Sequence, residues 1–213
     1  MPRMIAVLFL VAAMLGLGVS SANAAPDPQL EPTLVALWAK VFDTPADQNP
    51  VVGGSGSPCW DLGGTVAPLG AGSVPSCTVK PGTKIFVAAF TSECSTYPGD
   101  TCSGPGADDE KLRVDARSSD LAQAGGAAPT MTLDGNNVAL ADLTSSVHVH
   151  ALPAGNVFGL PAGTTGRYAA HGWVTLLHPL TPGTHTIAVT SVKPELSYTT
   201  KIVVAPPGRS PVA

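Results

Sequence analysis

Apolar residues recur at two different spacings along this chain. Leu34, Leu37, Trp38 and Val41 stand at i, i+3, i+4 and i+7, the repeat of one helix face. Pro32 and Thr33 precede them and Pro45 follows, which predicts a short amphipathic N-terminal helix. Lys84 to Phe90 has no polar face: Ile85 and Val87 share one side, Phe86 and Phe90 the other. That pattern predicts a central strand with a layer packed on each side. Asn49 to Ser76, rich in Gly, Pro and Ser, predicts a long loop or very short strands anchored by Trp60 and Leu62.

The last third changes to short strands between turn signals. Thr130–Leu133 and Val138–Leu140 flank Asp134-Gly135-Asn136 and predict a hairpin. Ser145 to Leu152 alternates Val147, Val149 and Ala151 with His148 and His150. Trp173–Leu177 and Thr184–Val192, joined by the Pro/Gly turn Leu180–Gly183, read as a second hairpin, and Leu196–Val204 as a final strand. Asp108 to Gln123 predicts a second short helix, acidic in its first turn and thin on its apolar face. The expected fold is all-β: a single-domain β-sandwich, Ig-like or jelly-roll-like, with these short helices. It would occupy residues 33–205, between an extended leader at 25–32 and a flexible tail at 206–213.

The first residues read as an address. Arg3 supplies a positive charge, Ile5 to Val19 an apolar run, and Ala22-Asn23-Ala24 a small-x-small signal; a signal peptide over 1–24, cleaved after Ala24, is expected. The run is shorter than the roughly 20 residues of a spanning helix, and no later stretch is apolar enough to cross a bilayer. A secreted or extracytoplasmic location follows. Cys59, Cys77, Cys94 and Cys102 are then expected as disulfides. Four cysteines allow three connectivities; we favour Cys59 with Cys77 and Cys94 with Cys102, because each pair brackets a Gly/Pro-rich segment that little else holds.

Composition removes several function classes. With 44% hydrophobic and 12% charged residues the chain is not a disordered one. A net charge of −4 gives no footprint for nucleic acid.

Several local patterns together resemble a known group. They are the tryptophan-bearing helix before Asn49-Pro50, Trp60-x-Leu62-Gly63-Gly64, Cys77-Thr78-Val79 leading through Gly82 to Ile85-Phe86, and Glu93-Cys94-Ser95. Leu133-Asp134-Gly135, Asn156 to Gly163, and Gly172-Trp173 running to Pro182-Gly183-x-His185-Thr186-Ile187 complete them. In this order they resemble an uncharacterised family of secreted bacterial β-rich proteins. The resemblance implies export and a β-rich fold; it brings no activity, substrate or catalytic residue.

The candidate chemistry centres on histidine. His148 and His150 at i and i+2 of one strand share a face, and neutral imidazoles suit Zn²⁺ or Cu²⁺. A third ligand would come from His171, His178 or His185. Our preferred reading turns Val147 and Val149 to the core and leaves both histidines in water, since metal sites need three or four convergent ligands. Ala169-Ala170-His171 and Gly99 to Pro105 superficially look like fragments of a chymotrypsin-type site, but their order is reversed and Cys102 stands where the nucleophilic serine would be. Trp38, Trp60 and Trp173 sit in apolar patterns that place them in the core, leaving few aromatics for a sugar platform. The function expected is therefore a non-catalytic binding domain with no cofactor, its partner another protein, a glycan or a cell-wall ligand. The alternative is a Zn- or Cu-binding protein or metallo-oxidoreductase built on the five histidines.

Overall fold

A computed structural model describes residues 27–69 and 76–206. The expected signal segment 1–24 and nearly all of the tail 206–213 lie outside these residues. The described chain is a two-sheet β-sandwich with two helices. Its elements are α1 (Leu30–Asp43), β1 (Cys59–Asp61), β2 (Thr65–Pro68), β3 (Ser76–Val79), β4 (Lys84–Ser95), α2 (Asp109–Gln123), β5 (Thr130–Leu133), β6 (Asn136–Val138), β7 (Ala141–Thr144), β8 (His148–Ala151), β9 (Thr165–Leu177), β10 (Gly183–Thr190) and β11 (Tyr198–Val204). Short 3-10 turns at Pro50–Val52 and Pro194–Leu196 complete them.

The first sheet has the order β1-β2-β4-β9-β7, with β8 also on β9; the second has the order β3-β11-β10-β5-β6. Each contains one parallel pair, β2 with β4 and β3 with β11. Strands β4 and β9 form the spine, paired from Ile85↔Leu177 to Ser95↔Tyr168. Ile85, Val87 and Ala89 pack with Leu177 against Ile187, Val189, Ile202 and Val204 of the second sheet. On the opposite face Phe86 packs with Ala170 and Val174 under Leu34, Leu37 and Val41 of α1. The expectation of a layer on each side of this strand holds.

One residue of that strand lies on the other face. The β4–β9 register breaks between Ala88 and Phe90. A bulge inserts one unpaired residue and reverses the alternation beyond it, so Phe90 joins the inter-sheet core and not Phe86. Beyond the bulge, Cys94 and Ala169 face Leu112 and Ala116 of α2. Helix α2 thereby continues the layer begun by the second sheet, and α1 covers the opposite face.

Helix α1 begins at Leu30, so the end of the expected leader is helical. Pro32 fits there because the first turn's N–H groups need no intrahelical acceptor. At its other end buried Asn49 donates from Nδ2 to Val41 O at 2.8 Å. Helix α2 starts where its acidic residues predict, with the Asp108 carboxylate accepting from Lys111 N at 2.8 Å.

The β5–β6 hairpin turns through Asp134 and Gly135, both at positive φ (51° and 81°), as a two-residue hairpin turn demands. The second expected hairpin does not form. β9 pairs with β4, β7 and β8, whereas β10 pairs with β5 and β11, so Leu180–Gly183 carries the chain from one sheet to the other. A turn signature reports a reversal of direction, and the same reversal can cross between layers.

Both expected disulfides are present, Cys59–Cys77 and Cys94–Cys102. The first ties β1 of one sheet to β3 of the other; the second ties the end of β4 to the loop before α2. Two disulfides fit an extracytoplasmic location. Among the described residues no helix is long and apolar enough to cross a membrane.

Candidate functional site

A cavity of about 690 Å³ opens beside the β4 bulge, within the usual range for ligand sites. Its floor is Ala88 to Thr91. Leu37, Trp38 and Val41 of α1 form one wall, Leu196 and Tyr198 another, and Ala67 to Leu69 with Val51 the rim. The cavity exists because β2 follows β4 over two residues only, Thr65↔Lys84 and Val66↔Ile85. Ala67 and Pro68 remain paired with β1 and diverge.

Polar groups in the cavity wall are held in place. Trp38 Nε1 donates to Thr91 Oγ1 at 2.9 Å, and Thr91 Oγ1 donates to His171 O at 2.7 Å. The Tyr198 hydroxyl reaches the carbonyls of Ala88 and Ala89 at 3.3 and 3.2 Å. Gln123, the last residue of α2, donates from Nε2 to Ser92 Oγ at 2.7 Å. Glu195 is the one charged side chain among the described residues lining the cavity.

Behind Gln123 lies a buried polar network. Ser92 is the cross-strand partner of His171. His171 is fully buried; its Nδ1 lies 2.7 Å from Asp120 Oδ2 and its Nε2 3.0 Å from Asp142 Oδ1. Asp142 also pairs with Arg117 Nη2 at 2.5 Å. A neutral imidazole has one N–H, so these two contacts need either an imidazolium or a protonated carboxyl. Burial pushes the Asp120 carboxyl above its ordinary range, against the contacts with His171. At Asp142, partial burial is outweighed by His171 and Arg117, which hold the carboxyl below its ordinary range.

This network is not a serine-protease triad, because a carboxylate and not a hydroxyl meets Nε2. The Gly99–Pro105 segment is structural too. Asp100 accepts from Ser95 Oγ at 2.8 Å and Cys102 N at 2.7 Å, and Cys102 is disulfide-bonded.

The five histidines do not come together. His148 and His150 share a face, as their spacing requires, but that face is turned inward. Their rings lie 6.0 and 6.4 Å from that of Tyr168, His150 pairs with Asp43 at 2.8 Å, and Val149 is 70% exposed. The preferred orientation is therefore reversed within β8, for His148, Val149 and His150, whereas Val147 just before it packs against the core as expected. Pairing of His148 with Tyr168 and His150 with Gly166 sets the parity of β8, and the aromatic floor beneath α1 accepts the imidazoles. His171 is enclosed by carboxylates. His178 is exposed beyond β9. His185, in the second sheet, meets Asp134 Oδ2 at 2.7 Å and Thr181 O at 2.8 Å. Among the described residues no group of three or more His, Cys, Asp or Glu side chains is arranged to hold a metal ion.

Sequence reasoning missed Ser92, Asp120, Gln123 and Asp142, and treated Trp38 as core when it lines the cavity. One signal was available. Leu112, Ala116 and Asp120 stand at i, i+4 and i+8, so a carboxylate occupies the buried stripe of α2, and such a group demands a partner.

A second buried acid lies elsewhere. Glu93 has one carboxyl oxygen, Oε2, without a partner, and its pKa is pushed up to about 8, foremost by burial and then by the charge of Asp100.

No protein-family model, curated protein or solved structure matches the chain.

Proposed function

We propose that the chain is an exported, non-catalytic binding domain whose site is the cavity beside β4. Export, cleavage after Ala24, a secreted or envelope location outside the cytoplasm and kinship with the secreted β-rich family belong to the same proposal. The observation that carries it is the cavity itself: ligand-sized, apolar on two walls, and furnished with a few polar groups fixed by hydrogen bonds. Those are the ordinary features of a recognition site. Partners of this kind include another protein, a glycan or a cell-wall component.

A ligand-observed NMR screen of uncharged fragments against the disulfide-bonded protein tests this reading. Hits are expected that compete with one another and vanish in Val51→Trp, where an indole at the partly exposed rim fills the opening. Hits that persist unchanged in a folded Val51→Trp, or no hits at all, would overturn it.

A further inference from the structure

We infer that the occupant of the cavity is a segment of another polypeptide, bound in extended form as a short strand added to the free edge of β4. This rests on the binding reading above and names the chemistry of the partner. The first observation is topological. From Ile85 to Ser95, β4 is paired with β9 on one side. On the other side its ladder with β2 ends at Val66↔Ile85. Among the described residues, the stretch from Phe86 to Cys94 has one strand neighbour where a central strand has two.

The second observation is chemical. Every strand residue carries a backbone donor and an acceptor, and alternate residues point theirs to the same side. The open side of Ala88 to Thr91 is the cavity floor. The Tyr198 hydroxyl already donates to carbonyls there, so these groups accept partners within the cavity; each carbonyl keeps a second lone pair. A small apolar molecule would dry this edge without satisfying it, at the full penalty of unpartnered polar groups. An extended peptide brings N–H and C=O groups at the matching repeat.

The third observation is charge. With Glu195 as the one charged group among the described lining residues, the site opposes an anionic occupant and suits a neutral or basic segment interior to its chain. The bulge between Ala88 and Phe90 sets the extent. It bends the strand and disturbs the regular repeat of its edge, so the added strand is short, matched to the cavity floor of about four residues over Ala88–Thr91 at roughly 3.3 Å each. Leu37, Trp38 and Val41 on one side and Leu196 and Tyr198 on the other then receive side chains of alternate peptide residues.

Selection of phage-displayed random heptapeptides on the full disulfide-bonded protein tests this, followed by synthesis of the enriched peptide. We expect an uncharged or basic sequence that slows amide exchange at Ala88–Thr91 and fails to bind Val51→Trp or Glu195→Trp. Methylating single peptide nitrogens in turn is expected to weaken binding about fivefold at alternate positions and little between them, since each lost hydrogen bond is worth about 1 kcal/mol. Uniform sensitivity to methylation, or no enrichment, would overturn the inference. If fragments bind the cavity and no peptide does, the binding reading stands and the strand falls. If neither binds, both fall.

Discussion

The imidazole of His171 on β9 meets Asp120 of α2 at Nδ1, 2.7 Å away, and turns its other nitrogen to Asp142 of β7 at 3.0 Å. One fully buried ring therefore joins a helix to the edge strand of the sheet it covers. Arg117 closes the circuit from α2 back to Asp142. Little apolar surface fastens this helix, whose buried positions are Leu112, Ala116 and Asp120, so the polar network carries much of its attachment.

His171→Ala leaves Asp120 buried without its imidazole. Removing one member of a buried pair typically costs about 3–5 kcal/mol, and that loss is expected in urea unfolding at neutral pH. His171→Asn, which keeps a donor, should lose less. A change under about 1 kcal/mol for the alanine variant would show that the network does not hold α2.

Glu93 makes stability fall as pH rises. Its folded pKa of about 8 stands above the unfolded value of 4.5, so the folded state binds the proton more tightly. The contribution is fully present below 4.5 and is lost as pH climbs toward about 8, with a slope of up to about 1.4 kcal/mol per pH unit. Glu93→Gln should unfold with a flatter pH profile and be more stable than the parent above neutrality. Parallel unfolding curves for the two proteins across that range would contradict the assignment.

The two disulfides should differ modestly in effect. Cys59–Cys77 closes 18 residues and Cys94–Cys102 closes 8. Loop-closure entropy gives about 3 and about 2.5 kcal/mol respectively. Paired Cys→Ala replacements compared by thermal unfolding measure both. The first should also loosen the sheets from one another, visible as faster amide exchange in β1 and β3.

Gly166→Ala should be destabilising without touching the cavity. A Cβ there would come within 2.5 Å of the Tyr97 ring, which is fully buried, packs on Phe42 and Phe158, and donates from its hydroxyl to His150 O. Overpacking of this kind costs about 1–3 kcal/mol. Chemical denaturation is the measurement, with unchanged fragment binding as the control.

The elements legible in the sequence were those whose signal is local. Asp108 with its acidic followers marked the start of α2, the Leu34/Leu37/Val41 spacing marked α1, and Asp134-Gly135 marked the tight hairpin. The misreadings share one cause. Phe90 changed faces because a bulge is decided by two strands together, and His148 and His150 turned inward because the pairing of β8 with β9 sets parity whatever the side chains prefer. The apparent hairpin at Leu180–Gly183 was a crossing between sheets, which a turn signature does not distinguish.

By itself the sequence determined the β-rich class, the two helices and the net acidic charge, and it left three cysteine connectivities open, of which the structure holds the favoured one. The first three follow from short-range periodicity, turn chemistry and charge. The tertiary structure alone decided where β2 leaves β4, which opens the cavity, and which carboxylates enclose His171. Asp120, Asp142 and His171 come from three separate elements. Their meeting depends on layer packing and strand register, which are properties of the whole chain.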